Sequence, residues 1–459
     1  MNLQYIDTLI KKQKKFFQSG TTLSIEYRIK ALYKLKKCIN EKESLILDAL
    51  KEDLGKNATE AYMCEVGLVL SEINYMLKNI RKLTREKTVK TPLVQFASRS
   101  YKKCVPLGNV LIMSPWNYPF LLTMDPLVDA IAAGNTAILK PSAYSPATAS
   151  IIEEMIKDCF DEEYVAVIKG GRKENARLLE KKYDLIFFTG SGNVGKEVLR
   201  QCANHLTPAI LELGGKSPCI VEESANIELA ARRIIFGKFI NCGQTCVAPD
   251  YIICHKDVKD ELIKCLKNEI TKQYGETPLE NNNYGKIINE KHFKRLLSLI
   301  NKNKVVHGGK SKKESLKIEP TIMDFVMWED AIMQEEIFGP ILPVLTYETF
   351  EDLYTLLKDR EKPLALYIFS ENKQHINEIT ERIPYGGGCI NDCIIHLATS
   401  ELGFGGVGES GMGSYHGKDG FMAFSHVKNI VDKKTWIDLP MRYQPFSEFN
   451  KKLIKIFLR

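Results

Sequence analysis

From about residue 108 the chain alternates short apolar runs of strand type with segments of helical character. NVLIM (109–113), AILK (137–140), VAVIK (165–169), LIFF (185–188) and AILEL (209–213) are the runs. Helix-like stretches such as SPATASIIEEMIKDCF and NVGKEVLRQCANH lie between most of them. Strands that alternate with helices predict an α/β fold built on a parallel, doubly wound sheet, with ligands at the strand C-termini. A second α/β series begins after residue 214, with SPCIVEE as strand and IELAARRIIFGKFI as helix. Residues 1–85 read mainly as helices feeding the first sheet. The stretch 84–107 is extended and β-rich, like a hairpin leaving the domain, and AFSHVKNIVDKK (423–434) reads as an edge strand of the kind a partner covers.

A chain of 459 residues has room for two to four domains and a large core. Its net charge of +7 comes from 64 basic and 57 acidic residues spread along the chain, which suits anionic ligands but predicts no nucleic-acid surface. Twelve cysteines with no secretory leader point to a reducing compartment. The N-terminus reads as an amphipathic helix. No apolar stretch approaches the roughly 18 residues of a membrane span. The short basic tail FNKKLIKIFLR reads as a docked segment.

FFTGSGNVGKEVL carries Gly190, Gly192 and Gly195 in a Gly-x-Gly-x-x-Gly spacing straight after an apolar run. Glu212 follows about 20 residues on, where a dinucleotide fingerprint puts its ribose ligand. The same glutamate ends a strand and precedes two glycines in LELGGKSP, so it is equally a candidate for chemistry at the sheet's ligand end. In FINCGQTCVAPD, Cys246 sits in a glycine-containing turn after a long helix, where a thiol can be exposed enough to act as a nucleophile. A buried structural thiol is the ordinary alternative for any one of twelve cysteines. Cys242 would share its face if the segment were helical. SPWNYP fixes Asn117 between two prolines as a possible amide donor. Glu336 and Phe338 in EEIFGP, and His416 in SYHGK, are weaker taken alone. Cys389 and Cys393 read as core, and no metal-ligand spacing is present.

Taken together, PWNYP, FTGSGNVG, LELGGKSP, NCGQTC, EEIFGP and GFGGVGESGMGSYHGK occur in the order found in aldehyde dehydrogenases. The resemblance spans about residues 5–440 and is nearest to the class 3 branch, which acts on fatty and aromatic aldehydes. It implies two doubly wound parallel-sheet domains with a β-rich oligomerisation arm. The boundaries would be 1–85 and 107–213 for cofactor, 214–410 for catalysis, and 86–106 with 423–440 for the arm. Cys246 resembles the family nucleophile, Glu212 its general base, and Asn117 with the Cys246 amide its oxyanion hole. Trp116, Lys140, Gly190, Ser191, Gly192, Gly195, Glu336 and Phe338 resemble the cofactor-binding set. The family turn is usually Gly-Ser-Thr-x-x-Gly, and Gly192 here replaces the threonine.

The implied reaction is NAD- or NADP-dependent oxidation of an aldehyde to a carboxylic acid through a thiohemiacetal and a thioester. Acyl transfer to coenzyme A is the alternative, and such an enzyme would not need a base at 212. An ordinary Rossmann alcohol dehydrogenase would have no use for the thiol. Relatives commonly carry a glutamate after KPS as ligand to the adenosine ribose, and this chain has Ala143. Loss of that carboxylate, with Lys140 nearby to pair with phosphate, predicts that NADP is accepted at least comparably to NAD. A homodimer, a cytoplasmic location and no membrane anchor complete the expectations.

Overall fold

Two large parallel sheets and a three-stranded antiparallel ribbon organise the computed structural model, which describes residues 3–458. The first sheet runs Gly411–Met412, Ala209–Glu212, Leu185–Thr189, Asn109–Met113, Thr136–Lys140, Val165–Val167. All its pairings are parallel except that of Gly411–Met412. Asn109–Met113, Thr136–Lys140 and Leu185–Thr189 are buried along their whole length. Helices cover both faces of such strands, which is why they read as unbroken apolar runs rather than as alternation. Helix Leu121–Ala133, packed beside them, is itself buried at every position.

The chain leaves Asn109–Met113 toward Thr136–Lys140 and Val165–Val167, then returns to Leu185–Thr189 on the other side. Strand order therefore reverses between Asn109–Met113 and Leu185–Thr189. The loops that follow these two strands, starting at Ser114 and Gly190, flank the crevice where such sheets bind ligands.

The second sheet orders Val305–His307, Thr321–Met323, Ile341–Tyr347, Tyr251–His255, Pro218–Val221, Ala365–Phe369 and Gly387–Ile390. Its core gathers Ile220, Ile253, Leu345 and Leu366. The ribbon joins Lys87–Val89, Ser98–Pro106 and Ser425–Lys433, the last pair in register from Ser425↔Pro106 to Lys433↔Ser98. Ser425–Lys433 is an edge strand, as its sequence predicts.

The amphipathic N-terminus forms helix Leu3–Gln18, which buries Ile6, Leu9 and Ile10. Its one buried polar side chain, Gln13, donates from Nε2 to the Ala137 carbonyl at 2.9 Å and so pins the helix to the first sheet. The tail forms helix Glu448–Phe457, which packs against Leu93–Gln95 and the turn Pro440–Arg442 with Leu453 and Ile454 half-buried, while Phe449 and Ile456 are 69% and 68% exposed. Among the described residues, no helix is long and apolar enough to cross a membrane.

Candidate active site

Strand pairing delivers Glu212 to the crevice. It pairs with Thr189 on one side and Gly411 on the other, and its carbonyl accepts from the Gly190 amide at 3.0 Å. The side chain is 1% exposed, and neither carboxylate oxygen has an ordinary hydrogen-bond partner. A buried carboxyl without donors favours its neutral form. Burial pushes its pKa up to about 8, partly offset by the nearby Cys246 thiol, the His416 charge and the Thr189 hydroxyl.

Cys246 arrives from the second unit. Helix Ile227–Phe239 ends in a turn, Ile240–Gly243, in which Asn241 and Cys242 take left-handed conformations with φ of 51° and 53°. The turn breaks helical continuity, so Cys242 does not share a face with Cys246. Cys242 is buried against Tyr284 and Gly285 instead. Its neighbours lock the turn. Asn241 Nδ2 donates to the Asn117 carbonyl at 2.8 Å, and the Asn241 amide donates to Glu60 Oε1 at 2.8 Å. Gln244 Nε2 reaches the Lys286 carbonyl while Gln244 Oε1 accepts from the Ile288 amide, both at 3.0 Å. Burial, then the charges of Glu212 and Glu336, raise the Cys246 pKa well above the usual thiol range.

Two cavities meet at this thiol. One, of about 350 Å³, is lined by Trp116, Asn117, Gly190, Ser191, Glu212, Glu336 and Phe338 as well as Cys246. The other, of about 160 Å³, is an apolar tunnel walled by residues such as Leu68, Leu121, Phe236, Ile395 and Phe404, with Cys246 again in its lining. The thiol therefore faces a polar chamber and an apolar one.

The polar chamber suits a dinucleotide. Trp116 and Phe338 meet edge to face, with centroids 5.4 Å apart, and form an aromatic wall. Phe338 holds a φ of 50°, a strained conformation for a bulky side chain. Glu336 approaches Gly214 so closely that a Cβ there would lie 2.3 Å from Glu336 Oε2. A side chain at this glycine of LELGGK would displace the carboxylate opposite. Burial and Asp250 raise Glu336 to about 8. Gly192 is open, since a Cβ built there meets nothing within 4 Å, whereas one on Gly195 would meet Leu213 at 2.8 Å. Gly192, Gly195 and Lys140 do not line the chamber.

Lys140 is engaged with the backbone. Its ammonium is buried and donates to the Pro141 and Gly170 carbonyls, both at 2.8 Å, and burial lowers its pKa to about 8. To meet a phosphate it would have to leave these partners. Cys389, read as plain core, is half-buried with Sγ 3.5 Å from His396 Nδ1.

Sequence reading missed the residues that hold the site loops. Lys56 and Glu65 form an ion pair with no exposed side-chain surface. Lys56 Nζ also donates to the Asn117 carbonyl at 3.0 Å, and Glu65 Oε2 accepts from the Phe120 and Leu121 amides. Arg295 holds the EEIFGP loop through the Ile337 carbonyl at 2.6 Å, and Asp250 takes the Ile337 amide at 3.0 Å. Charged residues far along the chain from the loops they hold leave no local signature, so only the motif loops they grip were legible.

Residues 2–430 match the Aldehyde dehydrogenase family. The chain belongs to that family and is an oxidoreductase acting on aldehydes. It is 46% identical over 459 residues to the 4,4'-diaponeurosporen-aldehyde dehydrogenase of Staphylococcus aureus (strain NCTC 8325 / PS 47), covering 100% of both chains. It is 42% identical over 451 residues to Aldehyde dehydrogenase family 3 member A2 of Rattus norvegicus, covering 98% of this chain and 93% of that one. Among solved structures, the substrate-bound state of Staphylococcus aureus AldH is similar with a TM-score of 0.97 at 46% identity, covering 99% of each chain. Betaine aldehyde dehydrogenase (betB) from Staphylococcus aureus in complex with NAD+ is similar with a TM-score of 0.85 at 26% identity, covering 96% of this chain and 89% of that one.

Proposed function

We propose that this enzyme oxidises an apolar aldehyde to a carboxylic acid through an acyl group carried on Cys246. The observation that carries the reading is the unpartnered, buried Glu212 carboxyl in the same chamber as the thiol at the meeting of two cavities. A ribose ligand would face the far end of the crevice, not the nucleophile. The aldehyde tail enters the apolar tunnel and its carbonyl carbon is attacked by the Cys246 sulfur, whose proton passes to water as the carbon–sulfur bond forms. Asn117 Nδ2 and the Cys246 amide stabilise the oxyanion, a contribution on the order of 10²–10³ in rate per donor. The Asn117 amide is pre-aimed, donating to the Gln244 carbonyl at 3.1 Å.

A nicotinamide dinucleotide, NAD or NADP, supplies the hydride acceptor when bound. Trp116, Gly190, Ser191, Glu336 and Phe338 would hold it in the chamber, with Gly192, Gly195 and Lys140 shaping the approach. Glu212 then deprotonates water for attack on the thioester, a task worth typically 10²–10⁴-fold. A base at this position argues against transfer to coenzyme A. Residues 1–85 and 107–213 serve the cofactor, 214–410 the catalysis, and 86–106 with 423–440 form the arm. The unpaired outer edge of Ser425–Lys433 supports a two-fold homodimer. A series of aldehydes of increasing chain length, scored by kcat/KM, tests the reading. Values should rise as the tail fills the tunnel, and a preference for small polar aldehydes would count against it.

A further inference from the structure

Exposed apolar side chains gather at the end of the three-stranded ribbon marked by Ser98 and Lys433. Leu93, Phe96, Trp436, Phe446, Phe449 and Ile456 are each between 53% and 76% exposed. They make one surface because the elements that carry them touch. The Lys434 amide donates to the Ala97 carbonyl at 3.0 Å, and the Phe96 and Trp436 rings meet edge to face with centroids 6.4 Å apart. Helix Glu448–Phe457 packs on Leu93–Gln95. Phe449 and Ile456 are seven positions apart, so they share one face of that helix, and Lys452 borders them. A cluster of this kind on a surface marks a docking site.

Charge is distributed in the same way. Residues 85–106 and 425–459 hold 14 of the 64 basic residues of the chain but only 4 of its 57 acidic ones. The ribbon and tail therefore carry +10, and everything else in the chain sums to −3. The whole positive excess sits on about an eighth of the sequence. Its four acids are already paired within the segment, Glu86 with Arg99 and Lys103, Asp432 with Lys434, Asp438 with Arg442 and Glu448 with Lys451. Lys452 and Lys455 are exposed on the helix and have no acid of their own among the described residues.

We propose that this face docks on an anionic lipid surface, with the aromatic and aliphatic side chains entering the headgroup layer and the lysines pairing with lipid phosphates. Such a surface supplies both partners the face lacks, negative charge at the headgroups and apolar depth beneath them. A second copy of the chain suits it less. A two-fold contact of this face with itself would set two segments of +10 against each other. The strand edge that supports a homodimer is the backbone of Ser425–Lys433, which is a different surface from these side chains. Docking is peripheral, because a helix of ten residues lies in the headgroup layer and does not cross it. The inference stands apart from the reaction proposed above, since lipid binding is read without turnover.

Flotation of the full-length chain with large unilamellar vesicles tests the proposal. One set is phosphatidylglycerol and phosphatidylcholine in equal parts, the other phosphatidylcholine alone. The chain should float with the first set at low salt, stay behind with the second, and be released as salt screens the lysines. Lys452→Gln and Lys455→Gln should each lower the partition coefficient about fivefold. Phe449→Ser combined with Ile456→Ser should lower it at least as far, with thermal unfolding unchanged because both side chains are exposed. Brominated lipid should quench part of the tryptophan emission of the wild type and none of that of Trp436→Phe, a readout that needs no change in the helix. Failure to float with the phosphatidylglycerol vesicles at low salt, or wild-type flotation in all the helix variants, would overturn the proposal. So would helix variants that float normally but lose an oligomer in sedimentation velocity, an outcome that gives the face to a second copy.

Discussion

The Cys246 thiol favours the ionised form of Glu212, while ionised Glu212 disfavours the Cys246 thiolate. The pair thus ionises in order, carboxyl first, and the free enzyme keeps Cys246 as a thiol.

Alkylation reads that relationship directly. Iodoacetamide should label Cys246 of the free enzyme slowly at pH 7 and faster as pH rises, because only the thiolate reacts. Glu212→Gln removes the opposing charge and should speed labelling severalfold at pH 9, where Glu212 is ionised. Slower labelling in Glu212→Gln would mean instead that Glu212 takes the thiol proton.

The raised pKa of Glu212 gives a pH prediction. Water activation needs the carboxylate, and the neutral form dominates below about 8. Deacylation should therefore climb close to tenfold per pH unit below that point and level off above it. A pH–kcat profile measured under deacylation-limited conditions checks this, and a flat profile from pH 6 to 9 would contradict it.

Lys56 and Glu65 grip the loop that carries Asn117. Lys56→Met leaves Glu65 buried beside two amides but without its cation, and breaking such a pair costs about 3–5 kcal/mol. Thermal unfolding should show a clear fall in Tm. Activity per folded molecule should also drop, because the Asn117 carbonyl loses its Lys56 donor.

Ala143, where the family resemblance puts a ribose-binding glutamate, is exposed, while Lys140 is committed to backbone carbonyls. The wild type accordingly lacks both a carboxylate to repel a 2′-phosphate and a free ammonium to attract it, and should discriminate weakly. Ala143→Glu should move the ratio of kcat/KM for NAD over NADP by roughly tenfold toward NAD, about 1.4 kcal/mol. An unmoved ratio would show that another residue reads the ribose.

The parallel sheets were legible because strands such as Leu185–Thr189 are buried on both faces and so spell their identity in consecutive apolar residues. Cys246 and Glu212 were legible as candidates because one sits in a turn and the other ends a strand, each within its own local motif. The tunnel was not, since Leu68, Phe236 and Ile395 come from separate elements and any one of them reads as core. Nor was the turn at Asn241 and Cys242, where tertiary hydrogen bonds that Asn241 donates to Glu60 and Asn117 override helical spacing. Lys140 was legible as a residue but not as a partner to carbonyls, because burial of an ammonium depends on neighbours such as Gly170, 30 positions away.

The central claim is that one thiol carries the acyl group and one carboxyl releases it. Glu212→Gln mixed with excess cofactor and a long-chain aldehyde, quenched in acid and digested, should yield the Cys246 peptide heavier by one acyl group, in amount matching the NAD(P)H burst. A burst with no adduct on Cys246, or an adduct on another residue, would contradict the account.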